Sequence, residues 1–275
     1  MESCQALANQ KDWTQKVWAA AALAYLLLTL GMPVNAFSAE RCAAAPTQVE
    51  STGDQQALRI DRDAPLATRS QADFLGSDSR AFNEMVRGSH ATPLRWDRVP
   101  ELVVLTSVMQ YEQGRGTKYR ATAQQLTDDE ADALVADLTS ALSVLTDGAF
   151  EEFASVRREA VASGQVTDVM RPGQIVVARY SGVRDQLATI GFGGRSTRSD
   201  VIRAGSIILD SDFDRTSGSR RLLRTHELGH ALGYNHVHSR ASIMNPQIGS
   251  EPTDFDRAVA RVAFQNFPVP SSSCS

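Results

Sequence analysis

Apolar and polar positions divide this chain into three stretches. An apolar run of fourteen residues occupies 17–30, polar sequence without a sustained period of 2 or 3.6 covers 37 to about 93, and periodic segments begin near Trp96. Leu102–Met109 is short, apolar and rich in β-branched residues, which predicts a strand. Thr127-Asp-Asp-Glu130 has the form of a capping box. It opens a helix whose apolar residues Ala131, Leu134, Val135, Leu138, Ala141, Leu142 and Leu145 make one stripe, and Asp147-Gly148 ends it. Further strands are predicted over 149–156, 174–180 and 206–209, and a helix over 219–232. A last helix starts at Thr253, whose hydroxyl can cap it, with Phe255, Val259, Val262 and Ala263 on one side. Strand, helix, strands, helix, turn, helix is the order of an α+β fold, an α/β sandwich with one twisted sheet over a helix.

The segments outside this body carry their own signals. Lys11 and Lys16 precede the apolar run, and Val34-Asn35-Ala36 offers small residues where a signal peptidase reads. The pattern is that of a secretory signal over 1–36. The run is shorter than the ~20 residues of a membrane span, although the long polar stretch before it leaves an uncleaved anchor as the alternative. Residues 37–93 read either as a flexible extension or as a propeptide, and 268–275 as a tail. Cleavage after Ala36 would leave two cysteines, Cys42 and Cys274, which an oxidising compartment would pair as a disulfide. A net charge of −4 and a pI near 5.8 give no electrostatic basis for binding nucleic acid or an anionic membrane. A secreted or extracytoplasmic monomer is the expectation, without stable membrane association after signal cleavage.

The chemistry concentrates in His226-Glu-Leu-Gly-His230-Ala-Leu-Gly233-Tyr-Asn-His236. Residues four apart lie on one helix face, so His226 and His230 can present nitrogens to one ion. A third ligand six residues on requires the helix to stop, and Gly233 can supply the left-handed conformation that stops it. The chain then turns His236 towards the same ion. Three neutral histidines leave the fourth position of a tetrahedral zinc open, the arrangement of a catalytic site. Glu227 follows the first ligand, placed to take a proton from water.

Met244 stands eight residues after His236, in Ser242-Ile243-Met244-Asn245-Pro246. The extended histidine motif with this downstream methionine resembles the metzincin zinc metalloproteases, and within them the matrixins. The resemblance covers about 94–267 in pattern and order, and it implies a metzincin-like twisted mixed sheet over an active-site helix, Met-turn and C-terminal helix. It also implies His226, His230 and His236 as zinc ligands, Glu227 as general base and Met244 as an apolar floor. Pro246-Gln247-Ile248 would form part of the wall of a pocket for a substrate side chain. Val237 departs from the family, which usually carries Ser or Thr there. Matrixin precursors use a cysteine as a fourth zinc ligand, but the surroundings of Cys42 do not match that switch.

Other groups are less decisive. Asp210, Asp212 and Asp214 alternate after a predicted strand. They read either as a solvated acidic turn or as a calcium site, which the resemblance to matrixins implies at this place, with the loop Gly191–Gly194 upstream able to supply backbone carbonyls. His238 reads as an exposed loop residue, Tyr234 as packing and Asn235 as a turn former. With His90 the one histidine outside the cluster, the histidine-rich structural zinc site of vertebrate matrixins cannot be assembled. The expected function is a secreted zinc endopeptidase acting on protein or peptide. The alternatives are a zinc hydrolase of a non-protein amide such as cell-wall peptide, and a catalytically silent zinc-containing binding module.

Overall fold

A computed structural model describes residues 74, 76–86, 94–247 and 251–265. The elements in chain order are α1 (Ser77–Val86), β1 (Arg95–Trp96), β2 (Glu101–Leu105), β3 (Ser107–Gln110), β4 (Lys118–Gln125), α2 (Asp128–Leu145), β5 (Val156–Glu159) and β6 (Val166–Asp168). They continue with β7 (Gln174–Ser181), α3 (Val183–Leu187), β8 (Gly191–Arg198), β9 (Val201–Asp210), α4 (Ser211–Thr216), α5 (Arg220–Leu232) and α6 (Asp254–Phe264). The architecture is α+β, with one mixed sheet and helices, as the pattern of the sequence predicts.

Strands β2, β7 and β9 are parallel neighbours, and β8 runs antiparallel along β9. Both faces of the sheet centre are covered, so its strands are continuously apolar and alternate between two cores. Leu102, Val104, Ile175, Val177, Ile207 and Leu209 face the core shared with the helices. Val103, Leu105, Val176, Ala178, Tyr180 and Ile208 face a second core on the other side, with Tyr111, Tyr119 and Phe192.

The predicted strand 102–109 is two strands. Thr106 interrupts it, donating its N–H to Glu159 and accepting from the N–H of Leu126, so β2 pairs with β5 while β3 pairs with β4. The strand predicted over 149–156 is displaced to 156–159. Phe150 and Phe153 are instead turn residues buried in the helix-side core, the Phe150 N–H donating to the Thr146 hydroxyl at 3.0 Å. The strand itself, Val-Arg-Arg-Glu, lies at the sheet edge largely exposed and has no apolar alternation to read. The Gly191–Gly194 stretch, read as a loop, is the first half of β8.

The capping signals translate directly. Thr127 and Glu130 close a reciprocal capping box on α2, and Thr253 with Asp256 closes another on α6. Residues 77–86, within the stretch read as an extension, form α1. Phe74, Ala81, Phe82, Met85 and Val86 are buried in the helix-side core, and Phe74 packs at a tilt on Phe82 and meets Phe255 of α6 edge-on. The predicted signal 1–36, Cys42, His90, Ile248, the tail 268–275 and Cys274 lie outside the described residues. Among the described residues no helix is long and apolar enough to cross a membrane.

Candidate metal centre

The centre is built on α5. Leu223, Leu228, Ala231 and Leu232 anchor it in the core, which leaves His226 and His230 one turn apart with ring centroids 4.8 Å from each other. Gly233 ends the helix at φ 119°. A side chain there would stand 2.7 Å from the Leu94 carbonyl, so glycine is required both for the backbone conformation and for space. The turn is then fixed by Tyr234, whose buried hydroxyl donates to the Leu145 carbonyl at 2.6 Å.

The chain returns His236 to the first two histidines. His230 Nε2 lies 3.2 Å from His226 Nε2 and 3.1 Å from His236 Nε2. On the opposite side of the rings, His226 Nδ1 meets the Ile243 carbonyl at 2.7 Å and His230 Nδ1 meets the Tyr234 carbonyl at 2.9 Å. A carbonyl only accepts, so both Nδ1 atoms carry the proton and both Nε2 atoms present lone pairs. Converging lone pairs repel unless a cation lies among them. Four-coordinate zinc with bonds of about 2.0–2.1 Å separates its nitrogens by roughly 3.3 Å, close to the spacing found, so the residues fit zinc. Burial lowers the pKa of all three histidines, that of His236 to about 4 with help from His226 and His238, which keeps them neutral as ligands must be.

Against Gly229 of the ligand helix lies the turn around Met244. Met244 is buried, and its Sδ sits 2.4 Å from where a side chain on Gly229 would begin. The turn is tied at both ends. Val237 N–H donates to the Met244 carbonyl at 2.8 Å, and Asn245 Nδ2 reaches the Val237 and Arg240 carbonyls at 2.7 and 2.8 Å. Asp256 of α6, buried, accepts from the Ser242 hydroxyl and from Ile243 N–H at 3.1 Å. This carboxylate thus holds the carbonyl that orients His226. Sequence reasoning missed that role, although the Thr253–Asp256 capping pattern marks the residue.

A family model described as Matrixin matches residues 118–258, just over half of the chain. The chain belongs to the matrixin family. No curated protein matches it. Matrixins are zinc metalloproteases, which agrees with the histidine geometry. Val237, where the family usually has Ser or Thr, is buried in the helix-side core of this matrixin, and its apolar side chain is suited to that position.

Glu227 is buried beside the triad, with Oε2 lacking any hydrogen-bond partner among the described residues. Burial pushes its carboxyl up to about 8, opposed by a hydrogen bond from the backbone N–H of Gly193 in β8. A cation on the nearby histidines acts in the other direction and favours the carboxylate. Gly193 allows this approach, since a side chain on it would lie 2.2 Å from the Glu227 carbonyl oxygen. No signal in the sequence identifies Gly193 as a partner of Glu227.

The three alternating aspartates do not converge. Asp210 caps α4 through Phe213 N–H and pairs with Arg184 at 3.2 Å, while Asp212 is exposed and pairs with Arg215 at 3.1 Å. Asp214 is fully buried between Arg179 and Arg224, 2.7 Å from each. Among the described residues the histidine triad alone gathers three metal-type donors. His238 is exposed, its ring 6.2 Å from that of His236. Pro246 is exposed just beyond the turn.

Proposed function

We propose that this matrixin is an exported zinc endopeptidase in which Glu227 is the general base. The observation that carries the reading is the meeting of three histidine Nε2 atoms beside a buried carboxyl with one unpartnered oxygen. Zinc, when bound by His226, His230 and His236, polarises a scissile carbonyl and lowers the pKa of water.

The chain's own residues supply the rest. Glu227 accepts the proton of the attacking water at its carboxylate and passes it to the leaving amine, so no covalent enzyme intermediate forms. The Gly193 N–H holds one side of that carboxyl and leaves Oε2 for the water. Strand β8 pairs with β9 and has no strand partner on its outer edge among the described residues. An extended peptide can add to that edge, its backbone bonded to the strand and its scissile bond near Glu227. Export rests on the apolar run 17–30 with its basic flank and the small residues before Ala36.

Hydrolysis of a quenched-fluorescent peptide library by the purified protein tests the reading. Activity abolished by zinc chelation and restored by zinc is expected. A folded, zinc-loaded protein that cleaves no peptide but hydrolyses a cell-wall amide, or nothing, would overturn it.

A further inference from the structure

The three ligands are not held alike. His226 and His230 each have Nδ1 fixed by a carbonyl, whereas the Nδ1 of His236 has no hydrogen-bond partner among the described residues. The orientation of the third ligand therefore depends on the backbone on either side of it, and both sides are gripped by residues outside the histidine motif.

Asn235, immediately before His236, makes three hydrogen bonds to two partners. Its backbone N–H donates to the Met85 carbonyl of α1 at 2.8 Å, and its Nδ2 reaches the same carbonyl at 3.3 Å. Its Oδ1 accepts from Arg195 Nη2 of β8 at 2.7 Å. The other terminal nitrogen of Arg195 donates to the His230 and Tyr234 carbonyls at 3.1 and 3.2 Å, placing a cation at the C-terminal end of the ligand helix. On the far side of His236, the Glu84 carboxylate accepts from His238 N–H at 2.8 Å and from Ser239 N–H and hydroxyl at 3.1 and 3.0 Å. Partial burial works to raise the pKa of Glu84, but these donors together with Arg80 bring it down to about 2, so it is an anion at any working pH. Two consecutive residues of α1 thus hold both flanks of His236. The helix is in turn seated by Phe74, Phe82 and Met85 in the core and by an ion pair from Asp78 to Arg240.

We propose that α1 and Arg195 form a bracket that positions His236, making residues 74–86 a permanent part of the metal centre and not a segment shed on activation. Any processing of the 37–93 stretch then ends before Phe74. The proposal rests on the triad being a zinc site. Helix α1 lies outside the residues that match the family, 118–258.

The experiment measures zinc affinity and release by competition with a chromophoric chelator, on the full chain and its Asn235→Ala and Glu84→Gln variants. Thermal unfolding of the zinc-free forms is followed in parallel. Removing supports outside the ligand set costs about 10–100-fold in metal affinity. We expect at least about tenfold weaker zinc binding by Asn235→Ala and faster release from Glu84→Gln, with the zinc-free midpoints close to that of the parent. The cobalt-substituted proteins should differ in their visible spectra, as the geometry at the third ligand loosens. Unchanged affinity and spectrum in both folded variants would overturn the bracket, whereas a parent chain that binds no zinc would overturn the site reading instead. If the variants do not fold, the N-terminus of the active, zinc-loaded form decides. A start at or before Phe74 is expected, and a stable active form beginning after Val86 would refute the proposal.

Discussion

Two trios of metal-ligand side chains lie close along this chain, His226, His230 and His236 in one and Asp210, Asp212 and Asp214 in the other. The first reads from the sequence as an ion site, the second either as an ion site or as a solvated acidic turn. The histidines turn three nitrogens towards one point because two of them discharge their other nitrogen on carbonyls and a glycine folds the chain back. The aspartates turn away from one another because each meets an arginine, Arg184, Arg215, or the Arg179–Arg224 pair. Spacing brings donors near an ion only when nothing else satisfies them first. Arginines contributed by β7, α3 and α5 decide for Asp210 and Asp214 and no local pattern announces them, whereas Arg215 stands in α4 three residues after Asp212.

The largest expected effect sharpens the first half of this contrast. Glu227→Ala should keep zinc at full stoichiometry and lose peptide hydrolysis by about 10²–10⁴-fold or more, as removal of a general base requires. His236→Ala should instead lose the metal. Metal analysis beside kinetics separates the two, and a His236→Ala protein with parental zinc affinity would show that convergence is not what holds the ion.

Next in size is the buried aspartate. Asp214→Asn leaves Arg179 and Arg224 short of a counter-charge in the interior, although Glu130 and Asp137 still reach them at 2.5 and 2.7 Å. Breaking one side of a buried pair costs about 3–5 kcal/mol. At about 2–4 °C per kcal/mol for a domain of this size, the unfolding midpoint should fall by roughly 10 °C. Zinc stoichiometry of the folded fraction should stay the same. A loss of zinc without a loss of stability would mean that Asp214 belongs to the metal site after all.

The same division between local and long-range information explains what could be read in advance. Helix caps are local, so the Thr127–Glu130 box, the Thr253 cap and the Gly233 stop appear in the structure where the sequence places them. The apolar stripe of α2 and the buried strands β7 and β9 carry their own period. Strand β5 does not, because an exposed edge strand needs no apolar face, while Phe150 and Phe153 mimic one a few residues too early. Helix α1 was hidden by its shortness. Ala81, Phe82, Met85 and Val86 do make a helical stripe, but one of two turns inside fifty polar residues. Within the site, the ligands and Glu227 follow from a single contiguous motif. Gly193, Arg195, Asp256 and Glu84 reach that motif from β8, α6 and α1, and only the folded chain brings them there.

A protein beginning at residue 94 tests how much α1 matters to the body as a whole. Losing Phe74, Phe82 and Met85 uncovers α6 and the turn after His236, and each buried apolar side chain contributes about 1.5–3 kcal/mol. Thermal unfolding should show a markedly lower midpoint, whereas an unchanged midpoint would mean that the helix is peripheral. A smaller change is Thr253→Ala, which removes one cap bond of α6, an expected loss of about 1 kcal/mol. Because Asp256 also secures the Met-turn, the variant should cost slightly more than Thr127→Ala on α2, where Glu130 serves Arg179 but no part of the zinc loop.

The smallest expected effect bears on the second trio. With Asp210 engaged by Arg184 and the Phe213 N–H, and Asp212 aimed at Arg215, a calcium ion would have to displace two guanidinium groups before gaining two carboxylates. Ca²⁺ takes six to eight oxygens, and the three carboxylates of this turn do not gather into one cluster of donors. Millimolar calcium should therefore leave the unfolding midpoint of the zinc-loaded protein where it is, and Asp212→Asn should change nothing further. A calcium-dependent rise that Asp212→Asn removes would break the contrast between the trios, because the arginine pairs would then be placeholders for an ion and not the partners for which the aspartates are used.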